Sequence, residues 1–171
     1  MPAQIPLHRI PSPVGTLGAA FDGHGKLIQL WKLRGEWPPE PEGAEPKPLP
    51  YLRRQLASYF AGTLRDFNIP MDLHGTDFQQ RVWKELLNIP YGRTISYLEL
   101  ARRLGDEKVI RAAAGANGAN PIAILIPCHR VIGSDGSLTG YGGGLEMKEF
   151  LLRLEGVLPK AQGVQPALFE D

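Results

Sequence analysis

Residues 126–132 read IPCHRVI, and within them a thiol (Cys128), an imidazole (His129) and a guanidinium (Arg130) stand in consecutive positions. A thiol beside a base is the material of nucleophilic chemistry, because the thiolate, not the thiol, attacks. Cys128 is the single cysteine of the 171 residues. It could equally be an inert small hydrophobe ending the apolar run at 122–126. Adjacency does not decide the matter. Side chains of consecutive strand residues point to opposite faces, so His129 needs a bent backbone after Pro127, or a bridging water, to act on the sulfur. Glu155 could orient the imidazole if the last helix packs there. Local chemistry leaves the reactive and the inert thiol both open.

Other chemistries are excluded by residue type. One cysteine forms no internal disulfide and no cysteine-rich zinc site. His8, His24, His74 and His129 show no metal-ligand spacing, so no metal and no cofactor is expected. Gly140, Gly142, Gly143 and Gly144 surround Tyr141 without the lysine or the spacing of a phosphate-binding loop. No apolar stretch reaches the 18 or more residues that a membrane span requires, and the N-terminus carries no secretion signal. A reduced thiol and these absences point to the cytoplasm. Net charge is only +1, but residues 90–133 hold six lysines and arginines against three acids. That is a modest basic patch, of the kind that is usually solvated surface.

The elements that must position these groups follow from periodicity and punctuation. Residues 15–33 read as two strands around a turn at 22–25. Residues 35–50 carry six prolines and form an exposed connection. Residues 51–62 are helical in pattern, with Leu52, Leu56, Tyr59 and Phe60 on one side and Gly62 as the stop. Residues 65–73 suit an edge strand, since Pro70 spoils a central one.

The pattern changes at Thr76. TDFQ (76–79) is a capping box, followed by an apolar face of Phe78, Val82, Trp83, Leu86 and Leu87. SYLE (96–99) is a second one, opening a helix that Gly105 stops. Asp106 can cap a third helix running from about Glu107 to Gly118. Two short helices about a tight glycine turn make a helix-turn-helix. The third helix, EKVIRAAAGANG, has one long polar probe past Lys108, namely Arg111. Its small residues suit either close approach to a nucleic-acid backbone or tight packing against the protein. Residues 122–126 read as a short buried strand, and 134–137 as a turn. A last helix has Leu145, Met147, Phe150, Leu151 and Leu154 as its core face, with Glu146, Lys148, Glu149 and Arg153 toward solvent.

The ordered set TDFQQRVW, IPYGRTISYLELA, RAAAGAN, NPIAILIPCHRVI and GYGGGLEMKEFLLRLEG resembles the O6-alkylguanine-DNA alkyltransferase family over roughly residues 75–156, with a weaker likeness in the N-terminal hairpin. NPIAILIPCHRVI is the specific part; each other motif is moderate alone. The resemblance implies an α/β (α+β) fold: a small ribonuclease H-like α/β domain at 1–74, then a mainly helical, winged-helix-like domain at 75–158, then a tail at 159–171. It also implies a monomer that binds double-stranded DNA through the minor groove and flips an alkylated guanine out of the stack.

Carried over by motif, Cys128 accepts the alkyl group. His129 takes the thiol proton through a water, Glu155 bonds the histidine and Asn120 fixes that network. Tyr97 helps rotate the nucleotide and supplies a proton to the leaving guanine. Arg111 fills the vacated stack, and Ala112, Ala113, Gly115, Asn117, Tyr97 and Arg130 contact DNA. Tyr141, Val131, Gly142, Gly143 and Gly144 form the base pocket. The chain departs from the pattern at RAAAG, where the family usually has RAVG, at Glu107, where proline is common, and at Gly142, where some members carry serine. The last puts the range of bulky adducts in doubt. Two rivals remain: a lesion-binding module of the same fold, whose members replace the cysteine, and a Cys-His hydrolase, which has no need of a helix-turn-helix. The tail segment QPALF (Gln165, Leu168, Phe169) resembles peptides that dock on bacterial sliding clamps, and an incidental match in a tail that packs on its own domain is at least as good a reading.

Overall fold

The computed structural model describes residues 5–159, which divide into two compact units, 5–73 and 74–159. Small sheets and helices are mixed along the chain, an α+β arrangement.

In the first unit, β1 (His8–Ile10), β2 (Leu17–Phe21) and β3 (Leu27–Lys32) form an antiparallel sheet in the order β1-β2-β3. The turn at 22–25 is closed by Asp22, whose carboxylate accepts from the His24 and Lys26 amides at 2.9 Å each. This is the local bonding that makes aspartate a turn former. α1 (Leu49–Phe60) buries Leu49, Leu52, Leu56 and Tyr59. It begins two residues earlier than the apolar pattern suggests. Pro50 causes no loss there, because first-turn amides have no helical partner. The proline-rich connection is tied down by Arg9, whose guanidinium donates to the carbonyls of Trp37 (3.0 Å) and Pro38 (2.6 Å). The edge strand expected at 65–73 does not form. A single parallel bridge joins Leu27 to Met71, with the Leu27 amide donating to the Pro70 carbonyl. Pro70 can accept but not donate, so the ladder stops there.

In the second unit, α2 (Asp77–Leu86) opens on the complete Thr76/Gln79 capping box. Val82, Trp83 and Leu86 enter the core, whereas Leu87 lies past the helix end and is 45% exposed. Gly75 is obligatory: a Cβ there would stand 2.5 Å from the Trp83 ring. β4 (Ile95–Ser96) leads into α3 (Tyr97–Arg103), whose first turn is capped by Ser96. Only half of the expected box is used, since Glu99 faces Arg103 instead. After Gly105, with φ +100°, Asp106 caps a 3-10 turn (Glu107–Val109) that runs into α4 (Ile110–Gly118). α3 and α4 pack on each other and on α2, and the Trp83 indole donates to the Ala116 carbonyl at 2.9 Å.

The strand expected at 122–126 is a coil of tight turns. Ile124 has φ +73°, and the Leu125 amide closes a three-residue turn onto the Ala123 carbonyl. Pro127 (φ −81°, ψ 62°) centres a second, inverse γ-turn. The run is buried, but periodicity cannot separate a buried strand from a buried turn of that length. A 3-10 turn (Cys128–Arg130) follows, then β5 (Val131–Ile132), parallel to β4, and α5 (Leu145–Leu154). Leu145 is half exposed. No helix of the described residues is long and apolar enough to cross a membrane.

Candidate active site and nucleic-acid face

Cys128 opens the 3-10 turn, 5% exposed. Asn120 braces the turns before it: its side chain donates to the Ile126 carbonyl (2.8 Å) and accepts from the Ile122 amide (3.0 Å). The strand argument against cooperation of Cys128 and His129 does not apply to this turn. Neighbouring 3-10 side chains diverge by only about 120°. Burial pushes the Cys128 thiol up, and a hydrogen bond from Asn120 and the charge of Lys148 pull it back.

His129 is wholly buried, with Nε2 2.6 Å from Glu155 Oε2. Glu155 caps the C-terminus of α5, a poor place for an anion. Burial would raise its carboxyl, but bonds from His129 and Arg130 hold it down at about 2. An ionised carboxylate only accepts, so Nε2 of His129 carries the proton. Nδ1 is then a buried lone pair, with no hydrogen-bond partner among the described residues. Burial holds the imidazole below its usual pKa, which keeps it neutral and leaves Nδ1 able to accept a proton. These groups can accept a thiol proton and stabilise the imidazolium that results.

Arg130 does not belong to a DNA surface. It is 7% exposed, donates to both Glu155 oxygens (2.7 and 3.2 Å) and to the Ile89 carbonyl (2.7 Å), and lies over Tyr91. A buried carboxylate shared with histidine needs such a partner. Asn117 also turns inward: it is 2% exposed and donates to the Cys128 carbonyl at 3.3 Å. Ala113 is fully buried. Tight packing against the protein accounts for only part of the small-residue helix. Ala113 and Ala116 pack on the protein, while Arg111, Ala112, Gly115 and Gly118 are exposed on one face. A Cβ at Gly115 or Gly118 would meet no atom of the described residues within 4 Å.

Tyr97 donates to the Thr139 carbonyl at 2.9 Å. Tyr141 has a buried hydroxyl with no hydrogen-bond partner among the described residues, and burial raises it well above its usual pKa. Gly143 sits so close to Met147 and the Tyr141 ring that a Cβ would collide, and Gly144 (φ +95°) starts α5. The Val131 carbonyl accepts from Lys148, a residue expected on the solvent face but fully buried. Its register was the available signal: Lys148, Leu151 and Glu155 are spaced three and four apart along one stripe. Gln165, Leu168 and Phe169 lie outside the described residues. Among the described residues no cluster of acids, histidines and cysteine could hold a metal ion.

The family model described as "6-O-methylguanine DNA methyltransferase, DNA binding domain" matches residues 77–157. A methylated-DNA–protein-cysteine methyltransferase of Mycobacterium tuberculosis is 50% identical over 154 residues, 85% of this chain and 89% of its own. Its namesake in Haemophilus influenzae is 44% identical, over 85% and 83%. The crystal structure of M. tuberculosis O6-methylguanine methyltransferase superposes with a TM-score of 0.79 at 46% identity, covering 92% of this chain and 97% of that one. That of M. tuberculosis OGT in complex with DNA gives 0.77 at 49%, covering 87% and 91%. With half of the aligned residues identical over 85% of this chain and 89% of such a relative, the chain belongs to the methylated-DNA–protein-cysteine methyltransferase (O6-alkylguanine-DNA alkyltransferase) family.

Proposed function

We propose that the protein repairs DNA by direct reversal, moving a methyl or other alkyl group from O6 of guanine onto Cys128. His129 Nδ1 takes the thiol proton, through a water. The sulfur attacks the alkyl carbon, a C–S bond forms and the C–O bond breaks. Guanine departs neutral with a proton supplied by Tyr97. The product is a thioether, which does not exchange with thiols, and the chain holds no second cysteine. Each molecule therefore acts once. The observation that carries the reading is the buried Glu155–His129 pair, 2.6 Å apart, whose histidine directly follows the only cysteine.

DNA meets the exposed face of α4. Arg111 enters the stack, Ala112 and Gly115 allow close approach, and Tyr97 turns the nucleotide. Tyr141, Val131 and Gly142, Gly143 and Gly144 surround the flipped base. Affinity comes mainly from phosphates and falls with salt. The protein acts as a cytoplasmic monomer and also accepts O4-alkylated thymine. Gln165, Leu168 and Phe169 dock on a sliding clamp, which an isolated tail peptide would reveal by binding.

The test is the mass of the Cys128 peptide after incubation with duplex containing O6-methylguanine. One added methyl is expected, with none in Cys128→Ser, which retains duplex binding. Lesion binding with no adduct on the wild-type thiol overturns the proposal in favour of a lesion-binding module.

A further inference from the structure

Lysine is among the residues least often buried, yet Lys148 has no exposed surface. Its ammonium donates to the Val131 carbonyl at 2.6 Å and to the Thr139 carbonyl at 3.1 Å. It also lies 5.8 Å from the centre of the Tyr97 ring. The Thr139 carbonyl accepts the Tyr97 hydroxyl as well. One cation therefore joins α5 to β5, to α3 and to the loop that leads into Tyr141. Neutral carbonyls and a ring face are weak compensation for a desolvated ammonium, and a methionine would fill similar space without that cost. Burial lowers the amine to about 8, and the Cys128 thiol acts against that fall.

We propose that Lys148 is a positioning residue for alkyl transfer, holding the Val131 strand and the Thr139 carbonyl around Cys128 and setting a positive charge against the sulfur. This rests on Cys128 as the acceptor. The ammonium favours the thiolate by Coulomb attraction, whereas the nearby carboxylate of Glu155 is paired with Arg130 and His129. The other titratable groups around the thiol are Tyr97 from α3, His129 and Arg130 from the 3-10 turn, and Tyr141 from the loop. Coupling of this kind is reciprocal: loss of the amine raises the thiol, and loss of the thiol lowers the amine.

Because Cys128 is the only cysteine, iodoacetamide reports on one thiol in the full-length protein. Alkylation rates from about pH 6 to about pH 10 span the titration of both groups. Lys148→Met and Lys148→Gln should move the midpoint up and slow the reaction near neutrality by about tenfold, one unit in thiol pKa. Lys148→Arg, which keeps charge and donors, should recover part of the rate. In single-turnover transfer the Met variant should lose about a hundredfold in rate while affinity for unmodified duplex stays within about twofold, the pattern of an interaction used in the reacting state. An unchanged pH profile in folded Lys148→Met and Lys148→Gln overturns the proposal.

If neither variant folds, NMR titration of labelled lysines in wild type and Cys128→Ser decides. The Lys148 midpoint must fall without the thiol, and no movement overturns the proposal. A Lys148-dependent thiol profile in a wild-type protein that transfers no methyl would sink the acceptor reading alone. Normal transfer in Lys148→Met would sink the positioning role alone.

Discussion

Two buried cations serve the neighbourhood of Cys128, and they are held in opposite ways. Arg130 is matched by a carboxylate, a carbonyl and a ring, and its charge is cancelled by Glu155. Lys148 is held by two carbonyls and a ring, with no carboxylate paired to it among the described residues. A paired charge in a low-dielectric interior is a structural fixture, because removing either partner strands the other. An under-compensated charge is available to whatever negative charge forms nearby, and it pays for that readiness in proton affinity. The first cluster orients His129. The second ties α5 to the Val131 carbonyl and to the Thr139 carbonyl that Tyr97 also uses.

The largest effect expected from this contrast is on stability. Glu155→Ala leaves Arg130 buried without its counter-ion and should cost about 3–5 kcal/mol in denaturant unfolding. Lys148→Met should cost far less, and equal losses would erase the distinction. Next comes pH. Glu155 titrates in the fold at about 2, below its ordinary value of 4.5. The unfolded chain then binds more protons in that window, so this stability is complete above 4.5 and is lost as pH falls toward 2. Lys148 titrates at about 8, below 10.5. The unfolded chain again binds more protons between those values, so stability climbs with pH across the alkaline window. Unfolding measured across pH should lose the acid slope in Glu155→Gln and the alkaline slope in Lys148→Met, each without the other.

A smaller effect lies outside both clusters and supplies the baseline. Gly115→Ala meets no protein atom and removes a helix-interior glycine, so it should stabilise the fold by up to about 1 kcal/mol. If the exposed face of α4 is where DNA approaches, the same change weakens duplex binding and leaves the iodoacetamide profile of Cys128 untouched. A shifted thiol profile would tie that face to the clusters.

Much of the second unit was legible in the sequence. Thr76, Ser96 and Asp106 cap helical segments where hydroxyls and carboxylates can reach free amides, and Gly105 ends α3 at positive φ. These are interactions between residues a few positions apart, which order along the chain determines by itself. The thiol, the imidazole and the acid were named by motif. What the chain order left undecided was direction. Asn117, Arg130 and Lys148 are polar, and polar residues usually face water, yet all three face inward. Their partners, the carbonyls of Cys128, Ile89, Val131 and Thr139 and the carboxylate of Glu155, lie 9 to 41 residues away. The turns at 122–127 were hidden for the same reason, since a buried apolar run reads alike in either backbone. Local bonding set the helices and their ends. Only packing of distant segments decided which charges would be desolvated around the sulfur, because the cost of burying a charge depends on partners that the neighbouring sequence does not contain.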